Sequence, residues 1–155
     1  NAHKSLTIVT VIFFLISCGE NKPESETVLP EPGIHVSDGW ARPGAEDGNS
    51  AVYMLVTNGY SKQDTIQSVE TDVAGIVEVH ESYEREEGMM GMRQIEELQL
   101  PPQSTVRLEP GGIHIMLMKL NRTLKEGDQF IITLNLASGE QVEVTVPVRM
   151  RQNRG

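Results

Sequence analysis

The sequence of 155 residues predicts an all-β protein, a β-sandwich of about seven to nine antiparallel strands. Apolar and polar residues alternate along several segments, and these segments are rich in β-branched residues. Turn signals separate the segments at short intervals, with no convincing helical stretch among them. The length allows one domain, and a hydrophobic content of 38% is enough for a single core.

The strand pattern begins at Ile34 and recurs along the chain. Four segments carry it most clearly, and they are residues 51–57, 76–80, 129–137 and 141–148. In the last of these, four valines alternate with Glu143, Thr145 and Pro147, which predicts a strand with one apolar, buried face and one solvent-exposed face. The turn signals include Asn58-Gly59, Pro101-Pro102, Pro110-Gly111-Gly112, Glu126-Gly127-Asp128 and Ser138-Gly139. The domain is therefore expected to span residues 34–148.

Residues 1–18 are predicted to be a signal peptide and not part of the fold. Their apolar run, residues 6–16, is too short for a stable membrane anchor but suits a secretion signal. It leads into Leu15-Ile16-Ser17-Cys18-Gly19, which resembles the lipobox of bacterial lipoproteins, where the cysteine is acylated. We therefore expect Cys18 to carry a lipid that anchors the protein in the bacterial envelope, on the periplasmic side. An uncleaved hydrophobic anchor is the alternative, and it also places the domain outside the cytoplasm.

The segments that flank the predicted domain are polar. Residues 19–33 combine four glutamates with three prolines, which indicates an extended acidic linker. Residues 149–155 form a basic tail, which we expect to be a solvated chain end. The formal net charge of −9 argues against a nucleic-acid partner, because phosphate binding needs clustered Lys and Arg.

Four soft donor side chains dominate the middle of the sequence, and they are His80, Met92, His114 and Met116. Thioethers are poor ligands for hard cations such as Mg²⁺ or Ca²⁺, whereas Cu(I) accepts sulfur and imidazole nitrogen together. The donor types therefore favour a copper site, with Cu(I) as the bound ion.

The alternation of residues from Ile113 to Met118 predicts that the side chains of His114 and Met116 point to the same side of a strand. Its apolar residues at positions 113, 115 and 117 share one strand face, so His114, Met116 and Met118 share the other. A tight turn precedes this strand at Pro110-Gly111-Gly112, which predicts a site near the rim of the sandwich. Met118 is a possible accessory donor or only a shield for the site.

These residues resemble the periplasmic copper chaperones of the PCuAC family, formerly a domain of unknown function. Twenty-one residues separate Met92 from His114, and this interval matches the family pattern. The His114-x-Met116 pair matches it as well. The family usually has ten residues between its first histidine and its methionine, whereas His80 and Met92 enclose eleven. Met90 is therefore a rival for the upstream ligand. Further matches are Gly39-Trp40-Ala41-Arg42-Pro43, Ala51-Val52-Tyr53-Met54, and Met116-Leu117-Met118-Lys119-Leu120.

The resemblance covers residues 34–148 and implies a cupredoxin-like Greek-key β-sandwich. It also implies that His80, Met92, His114 and Met116 hold Cu(I), which is delivered toward the copper centre of a respiratory terminal oxidase. The implied partners are a copper-accepting oxidase subunit or a second copper chaperone.

Three other classes of protein compete with this hypothesis. A blue-copper electron carrier needs a thiolate ligand, and Cys18, in the predicted signal, is the only cysteine of the chain. A hydrolase is not expected, since no Gly-x-Ser-x-Gly or His-Glu-x-x-His string occurs. The remaining alternative is a metal-independent, lipid-anchored interaction or adhesion module, because the fold alone does not fix function.

Overall fold

The computed structural model describes residues 29–150, apart from the side chain of Glu87. Ten β-strands and one short 3-10 turn make up its regular structure, with no α-helix in this part of the chain. The predicted all-β class is confirmed, with one strand more than the upper end of the expected range. No helix among the described residues is long and apolar enough to cross a membrane.

The strands follow one another along the chain with short connections. They are β1 (Ile34–Ala41), β2 (Asn49–Asn58), β3 (Asp64–Glu70), β4 (Ala74–Glu84), β5 (Met90–Ile95), β6 (Leu98–Leu100), β7 (Ser104–Leu108), β8 (Ile113–Leu120), β9 (Gln129–Leu136) and β10 (Gln141–Pro147). The 3-10 turn, Glu86–Gly88, lies between β4 and β5.

Two sheets form the sandwich. The larger sheet has six strands in the order β1-β2-β7-β8-β4-β5, and the smaller has four in the order β10-β9-β3-β6. Within the two sheets, pairing is antiparallel except for one parallel pair, Leu108 with Ile113, between β7 and β8. Neighbours in space are often distant in sequence, since β4 pairs with β8 and β3 pairs with β9. The observed two-sheet architecture agrees with the β-sandwich that the sequence predicts.

The hydrophobic core lies between the two sheets. From β8 the buried side chains include Ile115 and Leu117, and from β9 they include Ile132 and Leu134. Burying a side chain of this size stabilises the fold by about 1.5 to 3 kcal/mol. Because the side chains at 115 and 117 point inward, those at 114, 116 and 118 occupy the outer face of the larger sheet.

Strand β4 is longer than the sequence predicted. The prediction that it ends at His80 is wrong, since it runs on to Glu84. The reason is its pairing with β5, which extends from Val79 opposite Ile95 to Glu84 opposite Met90. β4 and β5 form a hairpin whose connection is only residues 85–89, where Gly88 takes a positive φ of 74°.

Candidate metal centre

His80 and His114 are directly opposite each other on neighbouring antiparallel strands, β4 and β8. Their ring centroids are 6.0 Å apart, with an angle of 67° between the ring planes. Bonds from a metal to imidazole nitrogen are about 2 Å long, so two rings on one ion have centroids at most about 6.5 Å apart. The spacing of this pair is compatible with both rings binding a single ion.

Hydrogen bonds orient both rings and leave each with one nitrogen lone pair. The Nδ1–H of His114 donates to the carbonyl of Gly112 at 3.0 Å, so Nε2 carries the lone pair of the neutral ring. The Nε2–H of His80 donates to Oε2 of Glu78 at 2.7 Å. His80 Nδ1 is buried and has no hydrogen-bond partner among residues 29–150. An orphaned buried nitrogen is rare in folded proteins, and here it fits a metal ligand.

A methionine flanks the histidine pair on each side. Met116 follows His114 by two residues on the same strand face, a separation of about 7 Å between Cα atoms. It is opposite Glu78. Met92, on β5, is opposite Ser82 and therefore diagonal to His80, at about 7 to 8 Å. The four predicted ligands share one face, with the two thioethers at opposite ends of the pair.

The two rival methionines share this face but lie farther out. Met90 is opposite Glu84, and Met118 is opposite Ile76. Their partners on β4, Glu84 and Ile76, are each four residues from His80. Measured along the strand direction, Met90 and Met118 therefore lie about 14 Å from the histidine pair. The cross-strand register thus separates Met90 and Met118 from the histidine pair by about twice the distance of Met92 and Met116.

The donors differ strongly in their exposure to solvent. His114 is 5% exposed, whereas Met92 is 57% exposed on β5, which forms one edge of the larger sheet. Met116 is half-buried. β8 is an internal strand, but His114 is only its second residue, so the site lies toward one end of the sheet.

Glu78 is the acidic neighbour of His80, and Glu81 is not. Successive residues of β4 point to opposite faces, so Glu78 shares the histidine face while Glu81 points away. Glu81 instead accepts a hydrogen bond from Nη2 of Arg93 at 2.6 Å. Both glutamates lie within two residues of His80 in the sequence, and only the face that each occupies on β4 distinguishes them.

Aromatic side chains, whose position the sequence did not predict, form one wall of the site. The Tyr53 ring centroid lies 6.3 Å from that of His114, and the Trp40 ring lies 4.7 Å beyond it. The guanidinium carbon of Arg149 is 5.4 Å from the Trp40 ring centroid. Trp40 reaches this face through a bulge after Ser37, where Asp38 has a φ of 54°. In the sequence, the Asp38-Gly39 pair was the one indication of this bulge.

Among the described residues, no three His, Cys, Asp or Glu side chains group so that they could hold a metal ion. The donor set on this face is mixed, with two imidazoles and methionine sulfurs. Cys18, the predicted lipidation site, lies outside the described residues, so its modification stays a prediction.

Solved structures with the same fold define the class of this domain. The copper-bound PCuAC domain from PmoF2 is 22% identical, with a TM-score of 0.63 over 79% of this chain and 97% of that one. The Cu(I) form of DR1885 from Deinococcus radiodurans is 29% identical, with a TM-score of 0.57 over 74% and 78% of the two chains. The fold is that of PCuAC domains, and the resemblance predicted from the sequence is confirmed.

The family described as "Putative lipoprotein LpqE-like" matches residues 34–148. A protein named "Putative lipoprotein Lxx21020", from Leifsonia xyli subsp. xyli (strain CTCB07), is 28% identical over 149 residues. That similarity covers 94% of this chain and 89% of the relative. The chain therefore belongs to the LpqE-like lipoprotein family.

Proposed function

We propose that this protein is an extracytoplasmic Cu(I) metallochaperone that binds copper through His80, Met92, His114 and Met116. The observation that carries the proposal is the cross-strand histidine pair, with one lone pair left on each ring and a thioether on each side. The copper-bound PCuAC domain from PmoF2 and the Cu(I) form of DR1885 support it, because both share the fold.

The donor chemistry suits transfer of the ion better than permanent storage. Neutral imidazoles and thioethers satisfy the soft Cu(I) ion without adding a formal charge that would trap it. A thiolate-rich acceptor can therefore remove the ion. We propose the copper centre of a respiratory terminal oxidase as the destination, reached through an oxidase subunit or a second copper chaperone. This role requires no enzymatic activity.

We propose that the chain is anchored in the bacterial envelope, with residues 1–18 as its signal peptide and Cys18 as the acylated residue. Membership of a lipoprotein family supports the anchor. Residues 19–33 would then be a tether for the copper domain at 34–148, ahead of the basic tail at 149–155. A tether raises the effective concentration of the domain for partners in the same membrane.

The upstream methionine is tested by comparing Met92→Leu with Met90→Leu. We expect Met92→Leu to lower Cu(I) affinity at least about tenfold, or about 1.4 kcal/mol, and Met90→Leu to leave it near wild type. The reason is the register, which brings Met92 diagonally next to His80 and leaves Met90 two residues farther along β5. The measurement is anaerobic competition with bicinchoninic acid, using the full-length protein in mild detergent. A larger loss for Met90→Leu would reverse the assignment.

Glu78 is predicted to hold the His80 ring in its binding orientation. Glu78→Gln weakens the acceptor of the His80 Nε2–H, and we expect Cu(I) affinity to fall by about tenfold. Glu81→Gln is the matched control, since it removes the same charge from the same strand on the other face. Equal effects of the two changes would indicate a general charge effect in place of ring orientation.

The competing function, a metal-independent interaction or adhesion module, predicts no selective metal binding. The same titration separates the two functions. Cu(I) binding that is absent, or no tighter than that of Zn²⁺ or Mg²⁺, would favour the adhesion module.

A further inference from the structure

We propose that Cu(I) enters and leaves the site through Met90, which acts as an exchange donor at the tip of the β4–β5 hairpin. The inference rests on the proposed function, because it concerns the route to the same histidine pair. It adds a transient binding position outside the four ligands of the resting site.

The cross-strand register arranges the soft donors in a single series. Starting at the hairpin tip, Met90 is opposite Glu84, and Met92 is opposite Ser82. The His80–His114 pair comes next, two residues farther along β4. Each step along this series advances two residues on one face of the sheet, or about 7 Å. The donors therefore form a path from the end of the hairpin to the histidines.

Solvent exposure falls along this path. Met90 is 61% exposed and Met92 57%, His80 is half-buried, and His114 is 5% exposed. A partner protein or a chelator can thus touch the methionines of β5, but it cannot reach the His114 ring without displacing other groups. Large exposed side chains at a strand edge are accessible to partners, because β5 has no further strand beyond it.

The opposite face of the hairpin explains why both methionines project toward the site. Tyr83 packs there, with the guanidinium carbons of Arg85 and Arg93 5.7 and 5.5 Å from its ring centroid. A Cβ added at Gly91 would meet Arg85 Nε at 2.6 Å and the Tyr83 ring at 2.8 Å. Gly91 therefore lets β5 lie close to Tyr83. Its neighbours Met90 and Met92 point to the other face.

Thioether chemistry suits an exchange position. A methionine side chain is flexible, and its sulfur is neutral and polarizable. The sulfur can therefore move with the bound ion over part of the distance to the next donor. In each exchange a new sulfur–copper or nitrogen–copper bond forms as an old one breaks. Copper remains Cu(I) throughout, and no electron or proton is transferred.

The test measures transfer rates and equilibrium affinity separately. Full-length protein in mild detergent is loaded with one equivalent of Cu(I), and bathocuproine disulfonate then removes the ion under anaerobic stopped flow. We expect Met90→Leu to slow this removal roughly tenfold, a loss like that seen when a group supporting a metal ligand is removed. Met89→Leu is the matched control, because Met89 is 58% exposed and directly precedes Met90 on the alternate side of the extended chain. We expect it to keep the wild-type rate.

Two results would overturn the exchange position without affecting the proposed function. One is equal transfer rates for Met90→Leu and Met89→Leu in a protein that still binds Cu(I) through its histidines. The other is a fall in affinity for Met90→Leu as large as that for His114→Ala, which would make Met90 a ligand of the site itself. If the wild-type protein binds no Cu(I), the proposed function fails first.

Discussion

Replacing His114 with alanine is expected to weaken Cu(I) binding by at least about a hundredfold, or about 2.8 kcal/mol. His114 supplies a lone pair from a buried ring that the Gly112 carbonyl holds in place. No rearrangement of the exposed methionines restores a nitrogen at that point. The measurement is competition with bicinchoninic acid under reducing, anaerobic conditions.

His35→Ala provides the matched control for this change. His35 is exposed on β1, and its Nε2–H donates to the backbone carbonyl of Glu31, away from the histidine pair. We expect its removal to leave copper affinity unchanged. If His114→Ala bound Cu(I) as tightly as His35→Ala, the site would have to be elsewhere in the chain, and the chaperone hypothesis would lose its main support.

Replacing Leu117 with alanine is expected to lower the free energy of unfolding by about 2 to 5 kcal/mol. Leu117 has no solvent exposure and packs between the two sheets, so the change removes buried surface and leaves a cavity. Denaturant unfolding of the copper-free protein, followed by circular dichroism, measures the loss. A loss below about 1 kcal/mol would mean that the core repacks around the cavity.

Met116, which precedes Leu117 on β8, provides the control for this change, because its replacement is expected to have little effect on stability. Met116→Leu conserves volume on the outer face, so we expect it to cost less than about 1.5 kcal/mol in stability. It also removes the sulfur of a proposed ligand, so we expect Cu(I) affinity to fall. Adjacent residues of β8 thus separate the contribution to the core from the contribution to the site.

The face assignments within single strands were predictable from the sequence. Alternation in β8 placed Ile115 and Leu117 in the core and His114 with Met116 outside, as the structure has them. Side-chain direction along a strand depends only on local geometry, which has a period of two. By the same rule, Met90 and Met92 share one face of β5.

The pairing of His80 with His114 was not predictable. It depends on which strands become neighbours and on their register, and a shift of one residue reverses every face. Thirty-three residues and three other strands separate the two histidines along the chain, so no local pattern reports their contact. Only the resemblance to a family indicated that they converge.

The eleven residues between His80 and Met92 left the upstream methionine open. The structure assigns four of them to the rest of β4, five to the connection at 85–89, and two to β5. A change of one residue in that connection leaves the strand pairing intact. The departure from the usual family spacing is therefore compatible with Met92 next to the histidine pair, which supports our proposal for this ligand.

The bulge in β1 has a practical consequence for optical spectroscopy. Trp40 is the only tryptophan of the chain, and the bulge turns it onto the outer face against Tyr53. The Tyr53 ring is 4.7 Å from the indole and 6.3 Å from the His114 ring, both measured between ring centroids. The fluorescence of an indole depends on the groups around it. Because the chain has one tryptophan, its indole emission comes from a single position. The protein thus carries its own unlabelled fluorophore beside the histidine pair.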